Sequence, residues 1–168
     1  MLTEKNILKL LQNQGFSFKI YNHEALYTVN DSSEKRGEIK GAHSKNLFLK
    51  NKKNNFFLIS CLENRQVDLK KMTKCLNLGN ISFSKKDPLF KWLGVQPGSV
   101  TPFGLLNDIN NKVEFYLDSG FLTHETINFH PLVNTSTINL LTNDFINFLI
   151  ENNKKVNIFN FDNYSLIR

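Results

Sequence analysis

The strongest local pattern in the sequence is NLFLKNKKNNFFLISCL, which covers residues 46–62. Its two apolar runs, residues 46–51 and 56–62, have the length and composition of β-strands. The polar segment between them, KKNN, has the composition of a turn. We therefore predict a β-hairpin at this position, the most clearly marked element of the chain.

Helical and strand patterns alternate on both sides of this hairpin. Helices are predicted at residues 3–14, 31–36, 69–79, 87–92 and 142–151, with Thr3, Asp68 and Thr142 as N-caps. Strands are predicted at residues 16–22, 81–83, 113–117, 125–129 and 156–159. Short strands interleaved with helices indicate the α/β fold class, with a single domain over residues 1–168 built on a mixed sheet.

The bulk composition limits the class of protein. Of 168 residues, 40% are hydrophobic, which is enough for one buried core and too many for a disordered chain. No apolar run approaches the roughly 20 residues of a membrane span, and no signal peptide is visible. We therefore expect a cytoplasmic protein that does not associate with a membrane. The net charge of +6 fits a polyanionic partner, because lysines neutralise phosphates, although a solvated lysine surface is the commoner explanation.

Three segments contain residues that suit chemistry. Lys45 lies where a loop becomes the first hairpin strand, so it is either a lysine projecting into a cleft or an ordinary solvated one. The loop at residues 98–102 can aim backbone N–H groups at an oxyanion, or it can be a tight turn. His130 precedes a proline, which favours extended backbone. Its imidazole can transfer protons near neutral pH, or it can be structural.

Other catalytic patterns do not occur in the sequence. There is no nucleophile elbow, Walker loop or dinucleotide fingerprint. The four histidines lack paired metal-ligand spacing, so we expect neither a metal nor another cofactor. Cys61 and Cys75 are too few for a disulfide framework or a zinc site. We expect both to be reduced and mostly buried.

Taken together, the three segments resemble the YbaK/prolyl-tRNA editing superfamily. Residues 41–49, GAHSKNLFL, resemble its lysine-bearing motif, and residues 98–102, GSVTP, resemble its Gly-x-x-x-Pro loop. Residues 129–137, FHPLVNTST, resemble the C-terminal motif of the free-standing ProX-type branch, which clears alanine from proline tRNA. The resemblance extends from the first helix to about residue 148.

The resemblance implies an α/β fold with α+β character, in which helices surround a mixed, partly barrel-like sheet. It implies hydrolysis of mischarged Ala-tRNA(Pro), with Lys45 as the catalytic residue. The substrate-binding residues that it implies are His43, Asn46, Gly98, Ser99, Val100, Thr101, Pro102, Phe129 and His130. The implied partners are tRNA and, transiently, prolyl-tRNA synthetase, and we expect a monomer. A deacylase for Cys-tRNA or Ser-tRNA, or a non-catalytic tRNA-binding module, stays open as an alternative.

Overall fold

The computed structural model describes residues 1–28, 37 and 39–168. Its helices are α1 (Glu4–Asn13), α2 (Leu69–Leu76), α3 (Lys86–Leu93) and α4 (Thr142–Glu151), with 3₁₀ helices at Pro102–Asn107 and Ser119–Thr123. Its strands are β1 (Phe18–Asn22), β2 (Ser44–Asn51), β3 (Phe56–Leu62), β4 (Ile81–Phe83), β5 (Val113–Asp118), β6 (Thr126–Phe129), β7 (Ser136–Leu141), β8 (Asn157–Asn160) and β9 (Ser165–Leu166). The helix predicted at residues 31–36 lies outside the described residues. Among the described helices, none is long and apolar enough to cross a membrane.

The strands form two sheets. The larger has the order β4-β2-β3-β5-β8-β9, and the smaller has the order β1-β7-β6. β2 and β3 pair antiparallel, as expected of a hairpin, whereas β3, β5 and β8 run parallel to one another. The predicted hairpin and the predicted mixed sheet of an α/β domain are therefore confirmed.

Both faces of the larger sheet are covered by apolar side chains. On one face, Phe48 and Leu58 belong to the larger core cluster, which also contains the α4 residues Phe145 and Phe148. On the other face lies a smaller cluster that includes Leu49, Phe57, Ile59, Met72 and Phe159. The alternation along β2 and β3 explains this division, because successive side chains of a strand point to opposite faces. The continuous apolar run of β3 is typical of a strand that is buried on both faces.

The two sheets meet where the segment before β2 crosses β6. Ala42 forms a parallel bridge with Ile127 of β6, and its amide donates to the Thr126 carbonyl at 2.9 Å. The buried Asn128 side chain donates to the carbonyls of Lys40 and Ala42. These hydrogen bonds hold the chain just ahead of β2 against β6, and this junction positions the site described below.

The helix caps test three sequence expectations. Thr3 caps α1, and the Asp68 side chain accepts from the Lys71 amide at the start of α2, as predicted. The prediction for Thr142 is wrong, because α4 has no side-chain cap and the Thr142 hydroxyl donates to the His124 carbonyl instead. A hydroxyl that finds a long-range partner no longer serves the adjacent helix end.

Two further expectations fail in detail. Helix α2 ends at Leu76, not at Gly79, because Asn77 already adopts the left-handed conformation that stops a helix. Both cysteines are free, but only Cys61 is buried and Cys75 is exposed. The expectation that both thiols are mostly buried is therefore wrong for Cys75.

Candidate functional site

The three segments singled out by the sequence meet at one cavity of about 240 Å³. Its wall combines the start of β2, the loop that precedes the first 3₁₀ helix, and the end of β6 with the loop after it. The predicted site residues in this wall are His43, Lys45, Asn46, Gly98, Val100, Phe129 and His130. Residues more than 80 positions apart in the chain therefore share one concave surface.

The β2 side of the cavity carries its positive charge. Lys45 is the second residue of β2 and pairs with Cys61 of β3. Within the described part of the chain, the Lys45 ammonium forms no salt bridge, so its charge is available at the cavity. The neighbouring Asn46 amide is held in place by Ser60, whose hydroxyl donates to Asn46 Oδ1 at 2.5 Å. His43 is fixed as well, since its Nε2 donates to a main-chain carbonyl at 2.7 Å.

The loop at residues 98–102 contributes backbone at only two positions. Gly98, at φ +91°, and Val100 line the cavity, and no described residue accepts a hydrogen bond from either amide. Ser99, Thr101 and Pro102 do not line it. The Ser99 amide closes a turn, the Thr101 hydroxyl caps the 3₁₀ helix, and Pro102 begins that helix. The structure therefore does not bring these three residues to the cavity wall with the other predicted site residues; they shape the loop behind it.

His130 lines the cavity, and one of its ring nitrogens forms a hydrogen bond within the protein. Its Nδ1 lies 2.9 Å from the Ser136 carbonyl, and because a carbonyl only accepts, Nδ1 carries the proton. Burial lowers the pKa of His130 below its ordinary value near 6.5, and neighbouring His23 adds to this, while the bond to Ser136 opposes it. The ring is therefore neutral at pH 7 and its Nε2 is an acceptor. Nε2 can therefore accept a hydrogen bond from a ligand.

The wall also contains Thr137, from the motif at residues 129–137, and several residues that the sequence did not single out. These include Tyr27, Glu63 and Asn128, of which Tyr27 is 67% exposed although it is a large aromatic residue. Glu63 follows β3, and its amide donates a hydrogen bond to the His43 carbonyl. Tyr27 lies in the loop after β1 and Glu63 follows β3, so only the tertiary structure brings them to the site, and a single sequence gives no signal for it.

The site contains no grouping suited to a metal ion. In the described residues, no three histidine, cysteine, aspartate or glutamate side chains lie close enough together to hold one. What the cavity does offer is a lysine ammonium, two backbone N–H groups and the neutral ring of His130. The ammonium and the N–H groups can bind an anion and stabilise a developing oxyanion, whereas Nε2 of the His130 ring can only accept a hydrogen bond.

Known proteins are similar to this chain in sequence and in fold. Residues 23–148 match the family model of the aminoacyl-tRNA editing domain. The Mus musculus protein named prolyl-tRNA synthetase associated domain-containing protein 1 is 37% identical over 149 residues, which cover 86% of this chain and 88% of that protein. The prolyl-tRNA editing protein ProX of Acetoanaerobium sticklandii is 27% identical over 145 residues, with 86% of this chain and 88% of that protein covered.

A solved structure of a candidate trans-editing enzyme for prolyl-tRNA synthetase has a similar fold. The TM-score is 0.68 at 18% sequence identity, and the match covers 99% of this chain and 98% of that chain. At this identity the likeness concerns the fold alone. It agrees with the arrangement of two sheets described above.

Proposed function

The chain belongs to the aminoacyl-tRNA editing domain family, and on that premise we propose that it is a free-standing deacylase of mischarged Ala-tRNA(Pro). The products are alanine and tRNA(Pro). The observation that carries this proposal is the meeting of Lys45, Gly98 and His130 at one cavity. Those residues come from the three segments that resemble the motifs of the editing superfamily.

The size of the cavity supports a small aminoacyl group. Its volume of about 240 Å³ lies below the roughly 300–1,000 Å³ that is typical of pockets for drug-sized ligands. A synthetase pocket built for proline rejects alanine poorly, because a missing methylene is worth only about 1–3 kcal/mol. A second, smaller site that admits alanine and excludes proline supplies the missing selectivity.

We assign Lys45 to the phosphate and ribose end of the substrate. The aminoacyl ester carries its own ammonium, which would repel a lysine placed beside it. A terminal phosphate attracts the same lysine, and the net charge of +6 on the chain favours a polyanion generally.

The amides of Gly98 and Val100 are the candidate oxyanion donors. Water attacks the ester carbonyl, the carbonyl oxygen gains negative charge, and the ester C–O bond then breaks so that the ribose oxygen leaves with a proton. A single donor to such an oxyanion is worth about 3–4 kcal/mol. Both residues line the cavity, and their amides lack an acceptor among the described residues, which leaves these N–H groups available for this role.

The partners in this proposal are tRNA of the proline type and, transiently, prolyl-tRNA synthetase. Among the relatives, the Mus musculus protein and ProX carry names that refer to prolyl-tRNA synthetase or to prolyl-tRNA editing. The acting unit is the whole chain, residues 1–168, working as a cytoplasmic monomer.

Deacylation of a panel of charged tRNAs tests the proposal. Ala-tRNA(Pro), Pro-tRNA(Pro), Cys-tRNA and Ser-tRNA are incubated with the wild type, with Lys45→Ala and with Lys50→Ala. Lys50 is the matched control, because it lies on the same strand but does not line the cavity. We expect rapid loss of alanine only, abolished by Lys45→Ala and unchanged by Lys50→Ala.

Each other outcome has a definite meaning. Equal hydrolysis of alanyl and prolyl esters contradicts the size selection, and faster hydrolysis of the cysteinyl or seryl ester reassigns the substrate within the family. If the wild type binds tRNA but hydrolyses none of the four esters, the chain is a binding module and the deacylase proposal fails.

A further inference from the structure

A second histidine, which the proposed reaction does not use, determines how Thr137 presents its hydroxyl group to the cavity. The Nδ1 of His23 lies 2.8 Å from the Glu24 carbonyl. Since a carbonyl only accepts, this nitrogen is protonated, and in the neutral imidazole the other nitrogen is an acceptor. That other nitrogen, Nε2, lies 2.8 Å from Thr137 Oγ1. With His23 in its neutral form, the Thr137 hydroxyl therefore donates its single proton to His23 Nε2.

A hydroxyl whose proton is committed presents only lone pairs to a ligand. Thr137 lines the cavity and is thus an acceptor there. His130 is a second one, because its Nδ1 donates to the Ser136 carbonyl and its Nε2 keeps a free lone pair. The two groups are neighbours, since Ser136 and Thr137 are consecutive and the rings of His23 and His130 lie 6.1 Å apart.

We propose that Thr137 and His130 form a subsite for a ligand cation, and that this cation is the α-ammonium of the aminoacyl ester. This inference rests on the proposed function and says how that function selects its substrate. An ammonium group has three donors and no acceptor, so it complements a pair of acceptors and nothing else at this end of the cavity. The low pKa of His130, which burial causes, keeps a second positive charge away from the subsite.

The other charged groups of the wall come from the larger sheet. Lys45 lies on β2 and Glu63 directly follows β3, whereas Thr137 lies on β7 of the smaller sheet. Glu63 is the competing candidate for an ammonium, since among the described lining residues it alone carries a carboxylate. The test below therefore includes it.

In this arrangement His23 is a positioning residue. It touches no ligand in the proposal, but it fixes the direction of the Thr137 proton. Its own place follows from β1, because Tyr21 pairs with Thr137 and the His23 amide donates to the Thr135 carbonyl. Removing the acceptor nitrogen of His23 frees the Thr137 hydroxyl to rotate, so that it no longer discriminates against a ligand acceptor.

The hydrolysis test compares Ala-tRNA(Pro) with lactyl-tRNA(Pro), in which a hydroxyl group replaces the ammonium at almost equal size. For the wild type we expect kcat/KM to be about tenfold to hundredfold higher for the alanyl ester, the range for a hydrogen bond to a charged group. Thr137→Val should lose most of this ratio, His23→Phe part of it, and Thr137→Ser should retain it. Glu63→Gln should leave the ratio within about twofold. Thermal unfolding shows whether each variant is folded.

A binding test uses 3′-alanylamino-3′-deoxyadenosine and its lactyl counterpart, which carry an amide that resists hydrolysis. The wild type should bind the alanyl compound more tightly, and Thr137→Val should bind both alike. If Ala-tRNA(Pro) is hydrolysed but neither test distinguishes the two ligands, or if Glu63→Gln alone removes the difference, the ammonium subsite is refuted while the deacylase stands. If the alanyl compound binds selectively but no ester is hydrolysed, the subsite stands and the deacylase fails.

Discussion

Replacing Gly41 with alanine should destabilise the protein more than the same replacement at Gly15. Both glycines have positive φ, +95° at Gly41 and +81° at Gly15. A left-handed conformation costs an alanine about 1–2 kcal/mol at either position. Only at Gly41 does the added Cβ also collide with its surroundings. It would lie 2.9 Å from the Thr126 carbonyl oxygen and closer than van der Waals contact to the Thr126 hydroxyl oxygen, whereas nothing lies within 4 Å at Gly15.

The collision adds an overpacking cost of about 1–3 kcal/mol, so that Gly41→Ala loses roughly 2–5 kcal/mol of unfolding free energy. For a domain of this size, each kcal/mol lowers Tm by about 2–4 °C. At the midpoints of these costs, about 3.5 kcal/mol for Gly41→Ala and about 1.5 kcal/mol for Gly15→Ala, we expect Tm to fall by about 7–14 °C and about 3–6 °C respectively. Calorimetry or circular dichroism measures both values.

The same change should also reduce deacylation. The backbone around Gly41 joins the two sheets through the hydrogen bonds of Ala42 with β6, and this junction holds the start of β2 at the cavity. At a temperature where both variants are folded, Gly41→Ala should hydrolyse Ala-tRNA(Pro) more slowly than Gly15→Ala. Equal Tm shifts in the two variants, or full activity in Gly41→Ala, would refute the reasoning that close packing at this junction builds the site.

Three further predictions concern titration, charge and thiol chemistry. The pKa of His130 is lowered by burial, so below about pH 6.5 the unfolded chain binds more protons than the folded one, and the free energy of unfolding decreases as the pH is lowered. Denaturant titrations over this pH range should show a smaller decrease in His130→Asn than in the wild type. Asp118→Ala should lower the free energy of unfolding by about 3–5 kcal/mol, because it breaks a buried ion pair with Arg65. Asp162 also pairs with this arginine but its side chain is 80% exposed, so Asp162→Ala should lower the same quantity by only about 0–1 kcal/mol. A thiol reagent should modify exposed Cys75 alone until unfolding, since burial raises the pKa of Cys61 to about 12; equal labelling of both cysteines in the native protein would contradict this.

Local patterns were sufficient for most elements of the fold, although they did not predict β7, the central strand of the smaller sheet. The β2–β3 hairpin and the cap at Asp68 depend on residues a few positions apart, and both were predicted correctly. The Thr142 cap failed because its hydroxyl bonds to the His124 carbonyl, a partner that only the folded chain supplies. The free thiol of Cys75 was placed wrongly for the same reason, since exposure depends on what packs over a helix face.

The candidate site was predictable in its segments but not in its contacts. The Gly/Pro-rich loop at residues 98–102 was expected to bind substrate as a whole. In the structure, Gly98 and Val100 face the cavity while Ser99 and Thr101 are buried behind it. The composition of a loop indicates that its backbone is constrained; the direction of each residue depends on the turn and the 3₁₀ helix that follow.

The two sheets give the cavity opposite chemical character at its two ends. Lys45, on the larger sheet, supplies a positive charge, and Thr137, on the smaller sheet, supplies lone pairs because His23 takes its proton. The proposed substrate has the complementary order, an anionic phosphate at one end and an ammonium at the other. A ligand of this kind can enter in only one orientation, since reversing it would place like charges together and leave the acceptors unpaired. Orientation in this site would then follow from how the two sheets are joined at Ala42 and Ile127, which explains why a packing defect at that junction should impair the chemistry as well as the fold.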